Sequence, residues 1–238
     1  MRKRGKHYLA ALEKIDPAKR YDPREAIALA KAIRFAKFDE TVELHLRMGL
    51  DPRHADQQVR GVALLPHGLG KRVRVLVFTG DPEGIRNAQE AGADYVGSDD
   101  LIRRIEEGWL DFDATIATPE VMGKVSRLGR ILGRRGLMPN PRSGTVVQPA
   151  DVGRAIRDAR KGRVEFRLDR TANIHVPIGK VSFDDAALVD NLATIIDAIV
   201  KAKPSGAKGQ YVKSATLTTT MGPGIPLDLS STLALKAA

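Results

Sequence analysis

Between Glu40 and Leu50 apolar and polar residues alternate strictly, with Val42, Leu44, Leu46, Met48 and Leu50 on one side and Thr41, Glu43, His45 and Arg47 on the other. A period of two is that of a strand with one face in a core and one face free. Near the end of the chain the same period puts Ser214, Thr216, Thr218 and Thr220 on one face of a strand, as a row of hydroxyls. That strand runs into Met221-Gly222-Pro223, where glycine lets another backbone approach closely and proline ends the ladder. Threonine is also a good strand former, so an ordinary threonine-rich edge strand fits the same letters. Between these two stretches, Val164, Phe166 and Leu168 and then Ile174, Val176 and Ile178 flank a turn at Asp169–Asn173. They predict a hairpin with Arg163, Glu165, Arg167 and His175 on its polar faces. A short strand, Val62 to Leu65, stops at Pro66.

Helical spacing marks the other elements. Tyr8, Leu9, Leu12 and Ile15 predict a short helix within the basic residues 1–20. Asp22, Pro23 and Glu25 form an N-terminal signature resembling a capping box for a helix from 23 to about 36, striped by Ala26, Leu29, Ala30, Ile33 and Ala36. Leu188, Leu192, Ile195, Ile196 and Ile199 stripe a helix over 184–203 that stops before Pro204. Residues 225–238 carry no such signal and predict a loose tail.

The middle of the chain reads differently. Strands at 73–78, 95–96 and 114–117 alternate with helices at 82–91, 99–107 and from Pro119, followed by a helix at 150–161. That order predicts a parallel sheet with helices on its faces. The fold class is therefore α/β in two domains: a split α+β sandwich built from both chain ends, 1–67 plus 160–238, and an inserted Rossmann-like parallel-sheet domain, 68–159. The glycine-rich His67-Gly68-Leu69-Gly70-Lys71 lacks the spacing and the Ser or Thr of a phosphate loop, and it precedes a strand, so it reads as a flexible crossover. The first turn of the insert, Thr79-Gly80-Asp81-Pro82-Glu83-Gly84, lacks the G-x-G-x-x-G of dinucleotide binding.

Charge then narrows the function. Lys and Arg number 39 against 29 Asp and Glu, a net charge of +10 that favours a polyanionic partner. The insert holds 14 basic and 13 acidic residues, so nearly the whole excess lies in the split domain. Within the insert, 121–150 carries Lys124, Arg127, Arg130, Arg134, Arg135 and Arg142 and no acid, which fits either a phosphate contact or a solvated loop. The absence of cysteine excludes thiolate catalysis and disulfides. No run of apolar residues is long enough to span a membrane, and the basic N-terminus has no following signal core, so a soluble intracellular protein is expected. The five histidines are scattered along the sequence, with no metal-ligand spacing and no nucleophile constellation, which argues against an enzyme.

An RNA-binding face is the better reading. Lys37, Arg167 and Arg170 supply charge, Ser214, Thr216 and Thr220 hydroxyls, Gly222 a close backbone approach, and Phe38 and Met221 apolar contact. Glu43 and His175 on the polar sides of their strands and Asp169 in the turn complete the set. Hydroxyls and backbone groups suit the 2′-OH and base edges of folded RNA. Aromatic residues are only 5% of the chain, too few for a single-strand stacking platform. Taken singly, Phe38 also fits a core, His175 an ordinary strand and the arginines solvent. A nucleotide-binding enzyme and a DNA-binding regulator are the rival classes.

At these residues the chain resembles the bacterial ribosomal protein L-one family of the large subunit's side stalk. The blocks that carry the resemblance are Lys37-Phe38-Asp39-Glu40-Thr41-Val42-Glu43, Leu65 to Lys71, Gly92-Ala93-Asp94-Tyr95-Val96-Gly97, Gly129-Arg130-Ile131-Leu132-Gly133, Gly136 to Pro141, and Thr218-Thr219-Thr220-Met221-Gly222-Pro223. The resemblance implies hinges near 66–70 and 158–162, and rRNA contact through Phe38, Thr41, Ser214, Thr220, Met221 and Gly222. It further implies a part in releasing exit-site tRNA, repression of the protein's own operon mRNA, a cytoplasmic ribosomal location, no cofactor, and a monomer when off the ribosome. Arg134 stands where the family commonly has proline.

Overall fold

The computed structural model describes residues 4–236. They divide into two compact units, Met1–Gly70 with Val164–Ala238, and Lys71–Arg163. The first unit opens with α1 (Lys6–Leu12), which buries Ala11 and leaves Leu9 and Leu12 exposed, so its inward stripe is not the expected one. In α2 (Pro23–Ala32) Asp22 accepts from the Arg24 N–H and Pro23 takes the first position, but Glu25 pairs with Lys19 instead of closing a capping box. Ala26, Ile27 and Ala30 are its buried face, and the helix ends short of residue 36. Next come β1 (Thr41–Met48), alternately buried and accessible along its length, and β2 (Arg60–Leu64).

The second unit is a three-stranded parallel sheet of β3 (Val75–Phe78), β4 (Tyr95–Gly97) and β5 (Ala114–Ala117), ordered β4-β3-β5. Every residue of the central strand is buried, as in a parallel sheet covered on both faces. Val75 and Val77 pack with Ala88 of α3 (Pro82–Glu90), and Leu76 and Phe78 with Leu101 and Ile105 of α4 (Asp99–Glu106). After Pro119 the expected helix is broken into 3₁₀ turns and two short pieces, α5 (Met122–Val125) and α6 (Gly129–Arg134). Glycines at 129, 133 and 136 make a continuous helix costly there. The helix α7 (Val152–Arg160) then buries Val152, Ala155, Ile156 and Ala159.

The chain returns to the first unit through β6 (Arg163–Arg167), β7 (Asn173–Lys180), α8 (Asp185–Lys201), β8 (Val212–Thr219), β9 (Ile225–Pro226) and α9 (Leu229–Ala234). The predicted hairpin is not formed: β6 pairs with β2 in a two-stranded sheet, while β7 pairs with β1. The turn between them is tight enough for one, with Asp169 N–H donating to Asn173 O, but the strands diverge into separate sheets. The main sheet runs β7-β1-β8-β9 and is antiparallel throughout. Helices α2 and α8 pack on it, and Val42, Leu44, Leu46 and Met48 of β1 join Ile195, Ile196 and Ile199 of α8 in one core.

One further expectation gives way to specific contacts. The segment after Pro223 is no loose tail, because Ile225 pairs with Leu217, Leu227 N–H donates to Ala215 O, and Tyr21 bonds both Pro226 and Asp228 through backbone groups. Ile225 and Leu227 are buried. The crossover starts from a fixed point, since buried Asn191 accepts from the His67 N–H and donates to Gly68 O and Ile178 O. A buried amide with its donors and acceptor satisfied holds a segment in one register. No helix among the described residues is long and apolar enough to cross a membrane.

Candidate nucleic-acid interface

Strand β1 sets the rows of the sheet. His45 lies opposite His175 on β7 and Thr216 on β8, Glu43 lies opposite Pro177 and Thr218, Arg47 opposite Asn173 and Ser214, and Thr41 opposite Lys180. Paired residues point to the same side, and these are the ones that alternate with the buried core positions. The result is a polar face of hydroxyls, imidazoles, a carboxylate and cations, turned away from the core. Of the expected site residues, Thr41, Glu43, His175, Ser214 and Thr216 stand on it together.

The corner after β8 is held from several sides. Thr220 Oγ1 accepts the Thr41 N–H at 3.0 Å, and the Thr220 N–H donates to Thr41 O at 3.1 Å, so β8 stays tied to β1 past its last residue. The Thr218 hydroxyl lies within donating distance of Gly222 O, 3.1 Å, and Pro223 O, 3.3 Å. Gly222 N–H donates to the Oγ1 of buried Thr219 at 3.2 Å, and a Cβ at Gly222 would stand 2.5 Å from that oxygen, which is why glycine is needed. Met221 N–H donates to Glu40 at 2.9 Å. Against this fixed backbone Met221 and Phe38 are 51% and 52% exposed, and Lys37 is exposed beside Phe38.

At the centre of the face the Nδ1 atoms of His45 and His175 are 2.7 Å apart, so the histidines that are scattered in sequence are not all apart in space. Burial and the neighbouring His175 hold the His45 imidazole below its ordinary value, against a smaller upward pull from Glu43. Asp169 sits 3.6 Å from His175. Burial acts to raise its carboxyl, but the N–H of Asn173 and the hydroxyl and N–H of Thr171 stabilise the anion and bring it down to about 2. The same turn places Ala172 at a left-handed φ of 62°, where its carbonyl accepts from Met48 N–H.

Arg170 lines an open cleft of about 620 Å³ together with Arg47 and Arg53, extending the positive charge beyond the Ser214 end of the face. Arg167 is exposed at the end of β6, in the two-stranded sheet and not on this face. Thr218 belongs to the predicted hydroxyl row without being among the expected contacts, and sequence reasoning missed Arg47 and Lys180 as site residues. Arg47 and Thr218 both fall on the polar side of an alternating stretch, the signal that found their neighbours; Lys180 is set beside Thr41, 3.0 Å from its hydroxyl, by a bulge no periodicity shows.

In the second unit the six basic residues of 121–150 are exposed, with Lys124 paired to Asp99 at 2.8 Å. The N-terminus of α3, where a dinucleotide fold would hold phosphate, is capped by its own Asp81, which accepts from the Gly84 N–H at 2.9 Å. Among the described residues no group of three or more His, Cys, Asp or Glu is arranged to hold a metal ion.

This geometry defines a class: a two-unit α/β protein whose first unit presents one polar sheet face and, at its edge, a hydrogen-bonded corner with Met221 exposed. The comparisons are specific within that class. Residues 29–223 match the ribosomal protein L1p/L10e family. The chain is 60% identical over 237 residues to large ribosomal subunit protein uL1 of Chloroflexus aggregans, covering 99% of this chain and 100% of that one. It is 57% identical to the protein of the same name from Dehalococcoides mccartyi, over 99% of each. With that of Thermobifida fusca it is 56% identical over 99% and 100%. The chain belongs to the ribosomal protein L1p/L10e family. It is a structural ribosomal protein and not an enzyme.

Proposed function

We propose that the chain is a component of the large ribosomal subunit in the cytoplasm and that it binds large-subunit rRNA at the base of the side stalk through the open face of β7-β1-β8. The observation that carries this reading is the corner at Thr219–Gly222, where a backbone fixed from within leaves Met221 exposed, as Phe38 is just before β1. Apolar contact at that corner, hydroxyls along β8 and guanidiniums at the far end suit an RNA fold read by shape, sugar and phosphate together. The candidate contacts are Lys37, Phe38, Thr41, Glu43, Arg167, Asp169, Arg170, His175, Ser214, Thr216, Thr220, Met221 and Gly222. The organisation into an RNA-binding split domain, 1–67 plus 160–238, and an insert, 68–159, belongs to the same proposal.

Two further roles follow from placing the protein on the stalk. It takes part in releasing tRNA from the exit site, and it represses its own operon by binding an mRNA segment that imitates the rRNA site. Off the ribosome it acts as a monomer. Footprinting the protein on intact large-subunit rRNA tests the main assignment. Protection confined to the stalk base, competed away by the operon leader, is expected; protection spread over unrelated helices would overturn it.

A further inference from the structure

Glu40 is fully buried at the entrance to β1, one residue before the Thr41–Thr220 link. Its Oε2 accepts the Met221 N–H at 2.9 Å, its Oε1 has no hydrogen-bond partner among the described residues, and no described cation pairs with it. Lys180, opposite Thr41 on β7, gives its ammonium to Thr41 Oγ1 and Asp39 O. Glu40 O accepts from Val181 N–H at 3.0 Å, so one residue links the end of β7, the start of β1 and the corner after β8.

A carboxyl group removed from water with one oxygen left unpartnered opposes folding, and an apolar residue of similar volume would suit the same space better. What an apolar residue could not do is accept a hydrogen bond from the Met221 amide. With Gly222 N–H held by Thr219 and Met221 N–H by Glu40, two successive amides are bound from the inside, and the Met221 side chain is left pointing outward at 51% exposure. We infer that Glu40 is a positioning residue for the interface: its buried acceptor sets the Met221–Gly222 backbone in the shape that receives RNA, at the expense of stability. The inference rests on the reading that this corner binds rRNA.

The test compares wild type, Glu40→Gln and Glu40→Leu in thermal unfolding and in binding to a stalk-base RNA and a generic duplex of equal length, with amide exchange at Met221. Glu40→Leu is expected to unfold no earlier than wild type, to lose about tenfold or more in affinity for the stalk-base RNA, and to bind the generic duplex unchanged. Glu40→Gln keeps an accepting oxygen and is expected to stay within about threefold of wild type for both RNAs. Glu40→Leu binding the stalk-base RNA as tightly as wild type would overturn the inference, as would an equal loss for both RNAs. Should Glu40→Leu not fold, the decision passes to wild type and Glu40→Gln. A Met221 amide protected from exchange in both supports the inference, and one that exchanges as freely as an open loop in wild type overturns it. Wild-type protein that does not prefer the stalk-base RNA overturns the interface reading itself, which keeps the two failures distinct.

Discussion

His45 and His175 face each other across β1 and β7 with their Nδ1 atoms 2.7 Å apart, so one imidazole must donate and the other must accept. A second proton on the pair would break that bond and set two cations side by side, with Glu43, Asp169 and Arg47 the charged groups around them.

Stability is therefore expected to depend on pH near neutrality. His45 is held below its ordinary 6.5 by burial and by His175. Below 6.5 the unfolded chain takes up a proton that the folded chain resists, so the contribution is whole above that value and is lost as pH falls towards the depressed one. Thermal unfolding between about pH 7.5 and pH 5.5 should show the midpoint falling on acidification, less steeply in His175→Asn, which removes one of the two causes. Equal slopes for the two proteins would show that the pair is not coupled.

In the second unit Asp113 receives Lys71 at 2.5 Å and Arg74 at 3.0 Å. Burial pushes the carboxyl up, yet these two side chains and the Arg74 N–H bring it down from 3.8 to about 2. A carboxyl lowered on folding adds stability that is present above 3.8 and lost as pH falls through about 2. Asp113→Asn should cost about 2 kcal/mol at neutral pH, measured by chemical denaturation, with the difference fading in strong acid.

The sequence predicts that the Thr220 hydroxyl faces RNA, but in the fold that oxygen accepts from Thr41 N–H. Thr220→Val should cost about 1 kcal/mol of stability and loosen the corner, lowering stalk-RNA affinity about tenfold. Thr220→Ser, which restores the oxygen, should recover most of both. Calorimetric titration with the RNA separates the variants.

Much of this was legible from spacing alone. The alternation in 41–48 gave β1 its buried and free faces, and the stripe at 188–199 gave α8 its core side, because each pattern is local and long enough to have a period. Partner choice is not local: the letters of β6 and β7 describe two half-buried strands equally well whether they pair with each other or, as here, with β2 and β1. A two-residue strand has no period, so β9 is invisible, although Ile225 and Leu227 two apart are a faint trace of it. The His45–His175 contact depends on that same non-local pairing. Glu40 was hidden for another reason, since nothing in the sequence predicts a carboxylate with no exposure at all.

The central claim is that the open face recognises a particular RNA fold beyond attracting phosphate. Its most direct test is a salt series of binding to the stalk-base RNA beside a generic duplex of equal length. Counterion release makes both weaken as salt rises, but direct contacts at Phe38, Met221 and the β8 hydroxyls should leave the stalk-base RNA a large and persistent advantage. Two lines of equal slope with no gap between them would contradict the account and leave only a basic surface that attracts polyanions.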